Sequence, residues 1–363
     1  MSDNFFNKPF DDGTKIKLEI FKKYLEAWLP TFTKSNKTIW KNIFIYDLFA
    51  GAGKDVNGYY GSPLIIVEEL KRHYTVIKEK GLNIHVVFND LVKDNILQLK
   101  TEINRIAAHR PYSIDYYNKD FKELFDELFP QMLKESQSPM LFFFDQFGIK
   151  HVTEDIILKV LKLQRTDFLF FISSSFVSRF SQLEEFQKYL KIKKTNFYES
   201  RPFHSHRIVF EYYQRMIPTD KKYYMAPFSI KKNSNIYGLI FGSKHSFGIE
   251  KFLNIVWRLN PNSGDANYNI DEEEIAEGKL SLFPEYNVPR KLQYFEQELK
   301  KKMLAKELIS IKQIYAYTFN FGCLPKHANK VIKEMVKERK IANTKTYSQN
   351  IHRINDERIE VIT

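Results

Sequence analysis

An α/β fold, built on a doubly wound parallel sheet with an antiparallel hairpin and followed by a small helical unit, is predicted by three features. Short apolar runs alternate with helix-like stretches from residue 43 to 172, two more strand-like runs flank the turn Lys231-Lys232-Asn233-Ser234-Asn235, and helical spacing returns after residue 289. Strands that alternate with helices argue for βαβ units, whose crossovers must cover both faces of a buried sheet.

The elements follow in order. Ile16, Leu18, Ile20, Phe21, Tyr24, Leu25 and Trp28 recur at helical spacing, so a helix is expected from Thr14 to Leu29, ended by Pro30. Parallel strands are expected at Ile43–Tyr46, Ile84–Asn89, Ser113–Tyr117, Met140–Phe144 and Phe168–Ile172. Residues 174–216 read as a basic and aromatic insertion with Phe186, Lys188, Tyr189, Lys191, Lys193, Lys194, Phe197 and Tyr198. Tyr223–Ile230 and Ile236–Gly242 form the hairpin, and a helix at Phe247–Leu259 completes a unit spanning 1–259. Pro261, Asn262, Ser263, Gly264 and the acidic run Asp271–Glu274 are poor core material, so 260–288 reads as a linker. In 289–363, three helices at Lys291–Leu304, Ile311–Phe319 and Pro325–Glu338 precede a short hairpin between Ile341 and Ile362. This is the order of a winged helix-turn-helix, with Pro325–Glu338 as its recognition helix.

The 363 residues carry 56 Lys plus Arg against 44 Asp plus Glu, a formal net charge of +12. From residue 285 onward there are 16 basic and 9 acidic residues, so the last unit holds more than its share of the excess. Such a balance favours a polyanionic partner, DNA or RNA, bound through phosphate contacts. The single cysteine, Cys323, excludes an internal disulfide framework and a cysteine-cluster metal site. No long uncharged apolar run offers a membrane span, and the expected location is cytoplasmic.

The chemistry-bearing residues gather where the strands end. Asp47 closes the first strand ahead of Leu48-Phe49-Ala50-Gly51-Ala52-Gly53, a turn whose glycines admit a ligand to bare backbone. Asp90 follows the second strand, where a carboxylate can take both hydroxyls of a ribose; Asp120 follows the third, suited to an exocyclic adenine amine; Asp145 ends the fourth in Asp145-Gln146-Phe147-Gly148. An aspartate after a strand also commonly caps the next helix, but four of them share the edge at which an open α/β sheet binds its ligand. The gap from Asp47 to Asp90 exceeds the roughly 20 residues of a dinucleotide-binding unit, and no G-x-x-x-x-G-K-[ST] run is present. A cofactor without phosphate, S-adenosylmethionine, fits better. Lys15 is a candidate for its carboxylate. Ser173-Ser174-Ser175 lies on the same edge, and His204 and His206 alternate as on one strand face, without a third ligand for a metal.

Tyr46–Gly53, Gly61-Ser62-Pro63-Leu64, Asp145–Gly148 and Ile236–Arg258 together resemble the three-Cys-motif partner protein (TcmP) family. The resemblance implies a Rossmann-like class I methyltransferase fold, S-adenosylmethionine as cofactor, and a separate three-cysteine protein as partner. Where this chain has Gln146 the family usually has proline, in a motif similar to that of amino methyltransferases. By that likeness Asp145 accepts a hydrogen bond from the target amine, Phe147 stacks on the base, and Gln146 stands at the backbone carbonyl that orients the amine. Methylation of a nucleic-acid base amino group is the leading expectation. The second is a non-catalytic nucleic-acid-binding partner subunit with the same fold, in a phage-defence or mobile-element system.

Overall fold

The computed structural model describes residues 8–34, 40–146, 148–193, 197, 204–218, 222–270 and 290–362. One sheet holds β1 (Asn42–Asp47), β2 (Asn83–Asn89), β3 (Ser113–Tyr117), β4 (Met140–Asp145), β5 (Thr166–Ile172), β6 (Tyr224–Lys232) and β7 (Asn235–Ser243), in the order β3-β2-β1-β4-β5-β7-β6. The first five are parallel, while β7 runs antiparallel to both β5 and β6. Strand order reverses between β1 and β4. At such a switch point the crossovers leave in opposite directions, and a crevice opens at the carboxyl edge. This is the Rossmann-like methyltransferase type of sheet expected from the sequence.

Side chains alternate between two cores. Ile43, Ile45, Phe143, Leu169 and Phe241 face one side and pack with α1 (Asp12–Thr33), α2 (Ser62–Arg72), α3 (Tyr74–Glu79), α4 (Lys93–Ile106) and α10 (Ser246–Leu259). Phe44, Tyr46, Phe142, Phe144 and Phe170 face the other side, under α5 (Phe121–Lys134), α6 (Glu154–Lys162), α7 (Ser174–Phe180), α8 (Glu184–Gln187) and α9 (Ser205–Gln214). Phe21 of α1 stacks on Phe143 at 4.3 Å, and Tyr24 donates to Asp167 at the opposite edge of the sheet from the crevice. The first turn of α1 is thereby held over the crevice.

Two local expectations need correction. Pro30 sits inside α1, which runs on to Thr33; the Lys251 ammonium donates to the Ala27 carbonyl and to Thr31 Oγ1 in the disturbed turn. The two histidines lie at the start of α9, so they do not share a strand face: His204 is its N-cap, and His206 is buried against the sheet. In the described part of the 174–216 insertion, Phe186, Leu190, Ile192, Val209 and Tyr213 are core residues, while Lys188, Lys191 and Lys193 are exposed.

Residues 260–270 run along the outer edge of β6, where Ala266 bridges Ser229 and is buried; the remainder of the expected linker, 271–288, lies outside the described residues. The C-terminal unit comprises α11 (Arg290–Leu304), α12 (Ile311–Asn320) and α13 (Pro325–Lys337). Its expected hairpin reduces, among the described residues, to one isolated antiparallel bridge, Ile341 with Val361, and a second bridge ties Arg358 to Ser310 at the start of α12. This unit shares the α1-side core. Phe319 meets Tyr224, the Trp257 indole N–H donates to the Gly322 carbonyl, and Glu250 accepts the Asn350 and Ile351 N–H groups.

Candidate functional site

A cavity of about 920 Å³ opens at the carboxyl edge beside the switch point. Phe49, Ala50, Asp90, Asp120, Asp145, Gln146 and Ser173 line it, so the ends of five strands converge on one hollow. Phe147 lies outside the described residues. Asp47, Gly51, Gly53 and Lys15 do not line the cavity.

Each of these placements has a physical cause. Gly51 and Gly53 have φ of 65° and 93°, so the turn needs glycine for its backbone. A Cβ on Gly53 would lie 2.8 Å from Leu99 Cδ1, and the Gly51 N–H donates to Asp90 Oδ2 at 2.9 Å. The glycines therefore close the turn onto the protein; they do not expose it to a ligand. Asp90 Oδ1 accepts from Val92 N–H and Asn95 Nδ2. Of roughly four lone-pair sites on a carboxylate, three are occupied. One remains for a ligand hydroxyl, where the sequence led us to expect a grip on two. Asp120 caps α5, with Oδ1 accepting from Lys122 and Glu123 N–H, and among the described residues its Oδ2 has no partner. Lys15 pairs with Asp12 at 3.7 Å on the outer surface of α1.

Asp47 lies behind the cavity, fully buried, with Oδ2 unpartnered among the described residues. Burial pushes its carboxyl up to about 7, opposed by the Ser62 hydroxyl and the Phe49 N–H and reinforced by the charges of Asp145 and Asp90. Because this folded-state value exceeds the unfolded one of about 3.9, the native state binds more protons between about pH 4 and 7, and stability falls as pH rises through that window. Asp47→Asn removes this titration. Its melting temperature should therefore gain on the wild type from pH 4.5 to 7.5, with a slope of up to roughly 1.4 kcal/mol per pH unit; thermal melts across that range check it, and a constant difference would contradict the assignment.

Sequence reasoning missed Lys17, which lines the cavity where Lys15 does not. It falls at i, i+4, i+7 and i+11 with Phe21, Tyr24 and Trp28, so an ammonium occupies the buried stripe of α1. Its side chain is 5% exposed, and Nζ donates to Asp145 Oδ2 at 2.5 Å and sits 4.4 Å from the centre of the Phe171 ring. A charge inside an apolar stripe was the available signal. Gln146 is likewise clearer in the structure. Its Oε1 accepts the His151 and Val152 N–H groups, bracing the turn that proline would otherwise stiffen, while Nε2 is buried without a partner among the described residues. His151 lies tilted against Phe49 and edge-on to Phe121, and burial lowers its pKa, favouring the neutral ring.

Charge in the cavity is largely matched. Lys17, Lys119 and Lys232 pair with Asp145, Glu127 and Asp11. Asp90 and Asp120 have backbone and amide donors but, among the described residues, no ion-pair partner, so the wall formed by β2 and β3 is net acidic. Among the described residues no His, Cys, Asp and Glu group could hold a metal, and no helix is long and apolar enough to cross a membrane.

Residues 267–348 match the family model described as a GMT-like wHTH domain. The C-terminal unit is a winged helix-turn-helix. The match begins on the edge segment along β6, so the winged helix is tied to the sheet from its first residues. No curated protein matches the chain. Similar solved structures include Trm1 of Pyrococcus horikoshii in complex with S-adenosyl-L-methionine, at 9% identity over 98% of this chain and 92% of that one with a TM-score of 0.36. The O-methyltransferase TomG of Streptomyces achromogenes, in complex with SAM, has 9% identity over 67% of this chain and 98% of that one, with a TM-score of 0.35. A SAM-dependent methyltransferase of Aquifex aeolicus has 10% identity over 64% and 100%, with a TM-score of 0.25. Likeness at this level says nothing about chemistry.

Proposed function

We propose that the chain is an S-adenosylmethionine-dependent methyltransferase acting on an amino group of a nucleic-acid base. The observation that carries the reading is the cavity itself: three strand-end aspartates, Asp90, Asp120 and Asp145, line one hollow at the switch point of the sheet. Its volume lies within the range of small-molecule cofactor sites. The acidic wall suits a cationic sulfonium ligand better than a phosphate, whose usual hold on a glycine turn is denied by the Gly51–Asp90 hydrogen bond. Asp90 would take one ribose hydroxyl and Asp120 Oδ2 the adenine amine, with Phe49 and Phe121 flanking the ring. S-adenosylmethionine, when bound, supplies an activated methyl group; the chain's own part is to hold the acceptor in line, with Asp145 receiving its N–H.

The winged helix would grip the nucleic acid. Lys326, Lys333 and Lys337 are exposed on α13, and no partner is recorded for them among the described residues. A partner protein carrying three cysteines, and membership of the TcmP family, belong to the same reading through the motifs from Tyr46 to Gly53 and from Asp145 to Gly148.

Full-length protein, labelled methyl donor and single-stranded DNA or RNA should give label in the nucleic acid. In the Lys326→Glu, Lys333→Glu, Lys337→Glu variant, binding should fall and the slope of log affinity against log salt should shrink by roughly 2 to 3. Unchanged salt dependence would remove α13 from the interface, and absence of label with every nucleic acid tried would remove the reaction.

A further inference from the structure

The cavity has a second half, formed where β4, β5 and the hairpin end. Lys17, Asp145, Phe171, Phe176 and Tyr237 line it. We propose that Lys17 and Asp145 together read one edge of a planar heterocycle in which the methyl-accepting amino group stands beside an unprotonated ring nitrogen, as in adenine or cytosine. This deepens the methyl-transfer reading above and rests on it.

Lys17 is costly where it stands. An ammonium on a buried helix stripe loses its hydration, and one ion pair seldom compensates fully; an apolar residue there would commonly be as stable or more so. Its presence asks for a task beyond stability. An ammonium has three N–H donors. One goes to Asp145 Oδ2, the ring of Phe171 attracts the charge from another side, and among the described residues no further acceptor is recorded for Nζ. Asp145 is 24% exposed, and its Oδ1 has no recorded partner among the described residues. A donor and an acceptor thus stand side by side in the cavity wall. Their complement is a ligand edge offering an acceptor beside a donor, and a ring nitrogen next to an exocyclic amine is such an edge.

The surrounding walls suit a flat ring. Phe171 and Tyr237 are stacked at 5.5 Å with only 5° between their planes, and Phe176 lines the cavity while 40% exposed. Flat aromatic faces hold an unstacked base with little regard to its identity, so selection falls to the polar edge. In the step itself the amino nitrogen bonds to the methyl carbon as that carbon's bond to the sulfonium sulfur breaks, which leaves a neutral thioether. The proton shed by the nitrogen passes to Asp145 Oδ1 and on to water. Lys17 touches the ring nitrogen, not the reacting atoms, and acts as a specificity and positioning residue.

The test uses full-length protein and single-stranded oligonucleotides carrying adenine, 1-deazaadenine, 7-deazaadenine, cytosine or 3-deazacytosine at one position. Fluorescence anisotropy in the presence of S-adenosylhomocysteine reads binding, and labelled methyl donor reads transfer. For the base that is preferred, one ring-nitrogen deletion should weaken binding about tenfold or more. Lys17→Met should erase that difference, and Lys17→Arg should keep part of it. Equal binding of every parent and deaza pair by the wild type, or an undiminished penalty in Lys17→Met, overturns the proposal. The wild-type comparison decides even where a variant folds poorly. A ring-nitrogen preference that depends on Lys17 without methyl transfer would leave this inference standing and remove the enzymatic reading; methyl transfer indifferent to the ring nitrogen would do the reverse.

Discussion

Asp145→Asn is expected to lower methyl transfer by about a hundredfold or more while leaving affinity for S-adenosylhomocysteine within about threefold, the range in which a positioned acid or base group typically acts. The residue ends β4 and lies across the cavity from the acidic wall of Asp90 and Asp120, so cofactor contacts stay in place. Asparagine keeps an oxygen for the Lys17 ammonium but cannot receive the proton that the amine loses. Alanine would be a poorer probe: it strands a nearly buried ammonium and should cost about 3 kcal/mol of stability as well. Transfer rates with labelled donor, read beside calorimetric affinities, check this. Near-wild-type transfer by Asp145→Asn would refute the role given to the carboxylate.

Gly238→Ala is expected to destabilise the fold by about 3 kcal/mol or more through overpacking and lost hydrogen bonds. A Cβ there would lie 2.1 Å from the His206 ring, which is wholly buried between α9 and the sheet. Nε2 of His206 meets the Leu239 carbonyl at 3.0 Å and must be its donor, so Nδ1 is left to accept from the Ser174 hydroxyl at 2.9 Å. Burial lowers the pKa of this histidine to about 4, consistent with a neutral ring. The pair ties α9 to the start of α7, one residue from Ser173 in the cavity wall. Chemical denaturation measures the loss. His206→Ala in the Gly238→Ala background should recover part of it, because the two side chains no longer compete for one space. Fully additive losses would show that the overlap is relieved elsewhere.

Much of the architecture was legible because its elements have clean periods. The expected strands match the observed ones to within two residues at either end; for the buried strands the signal is an uninterrupted hydrophobic stretch, whereas β3, at the sheet edge, is part-exposed and carries Ser113 and Asp115. What failed was decided by tertiary contact. Pro30 reads as a stop, yet packing of Trp28 and Leu29 and the bonds from Lys251 carry the helix past it. His204 and His206 alternate like strand residues, but Ser174 and the Leu239 carbonyl hold His206 on a helix. In the site, strand-end position located Asp90, Asp120 and Asp145. It could not reveal that the amide of Gly51 and the side chain of Asn95 occupy Asp90, nor that Asp47 turns away from the cavity. Lys17 was overlooked because charge on a helix is normally read as solvent-facing, whereas its spacing to Phe21, Tyr24 and Trp28 puts it in the interior.

Isothermal titration of the full-length protein with S-adenosylhomocysteine tests the central claim most directly, that three strand-end carboxylates frame a pocket for one sulfonium-type cofactor. A saturable one-site isotherm is expected, lost or severely weakened in the Asp90→Ala, Asp120→Ala double variant and retained in Asp145→Asn. No heat at roughly millimolar ligand, where even a binding energy of about −4 kcal/mol would register, would contradict it.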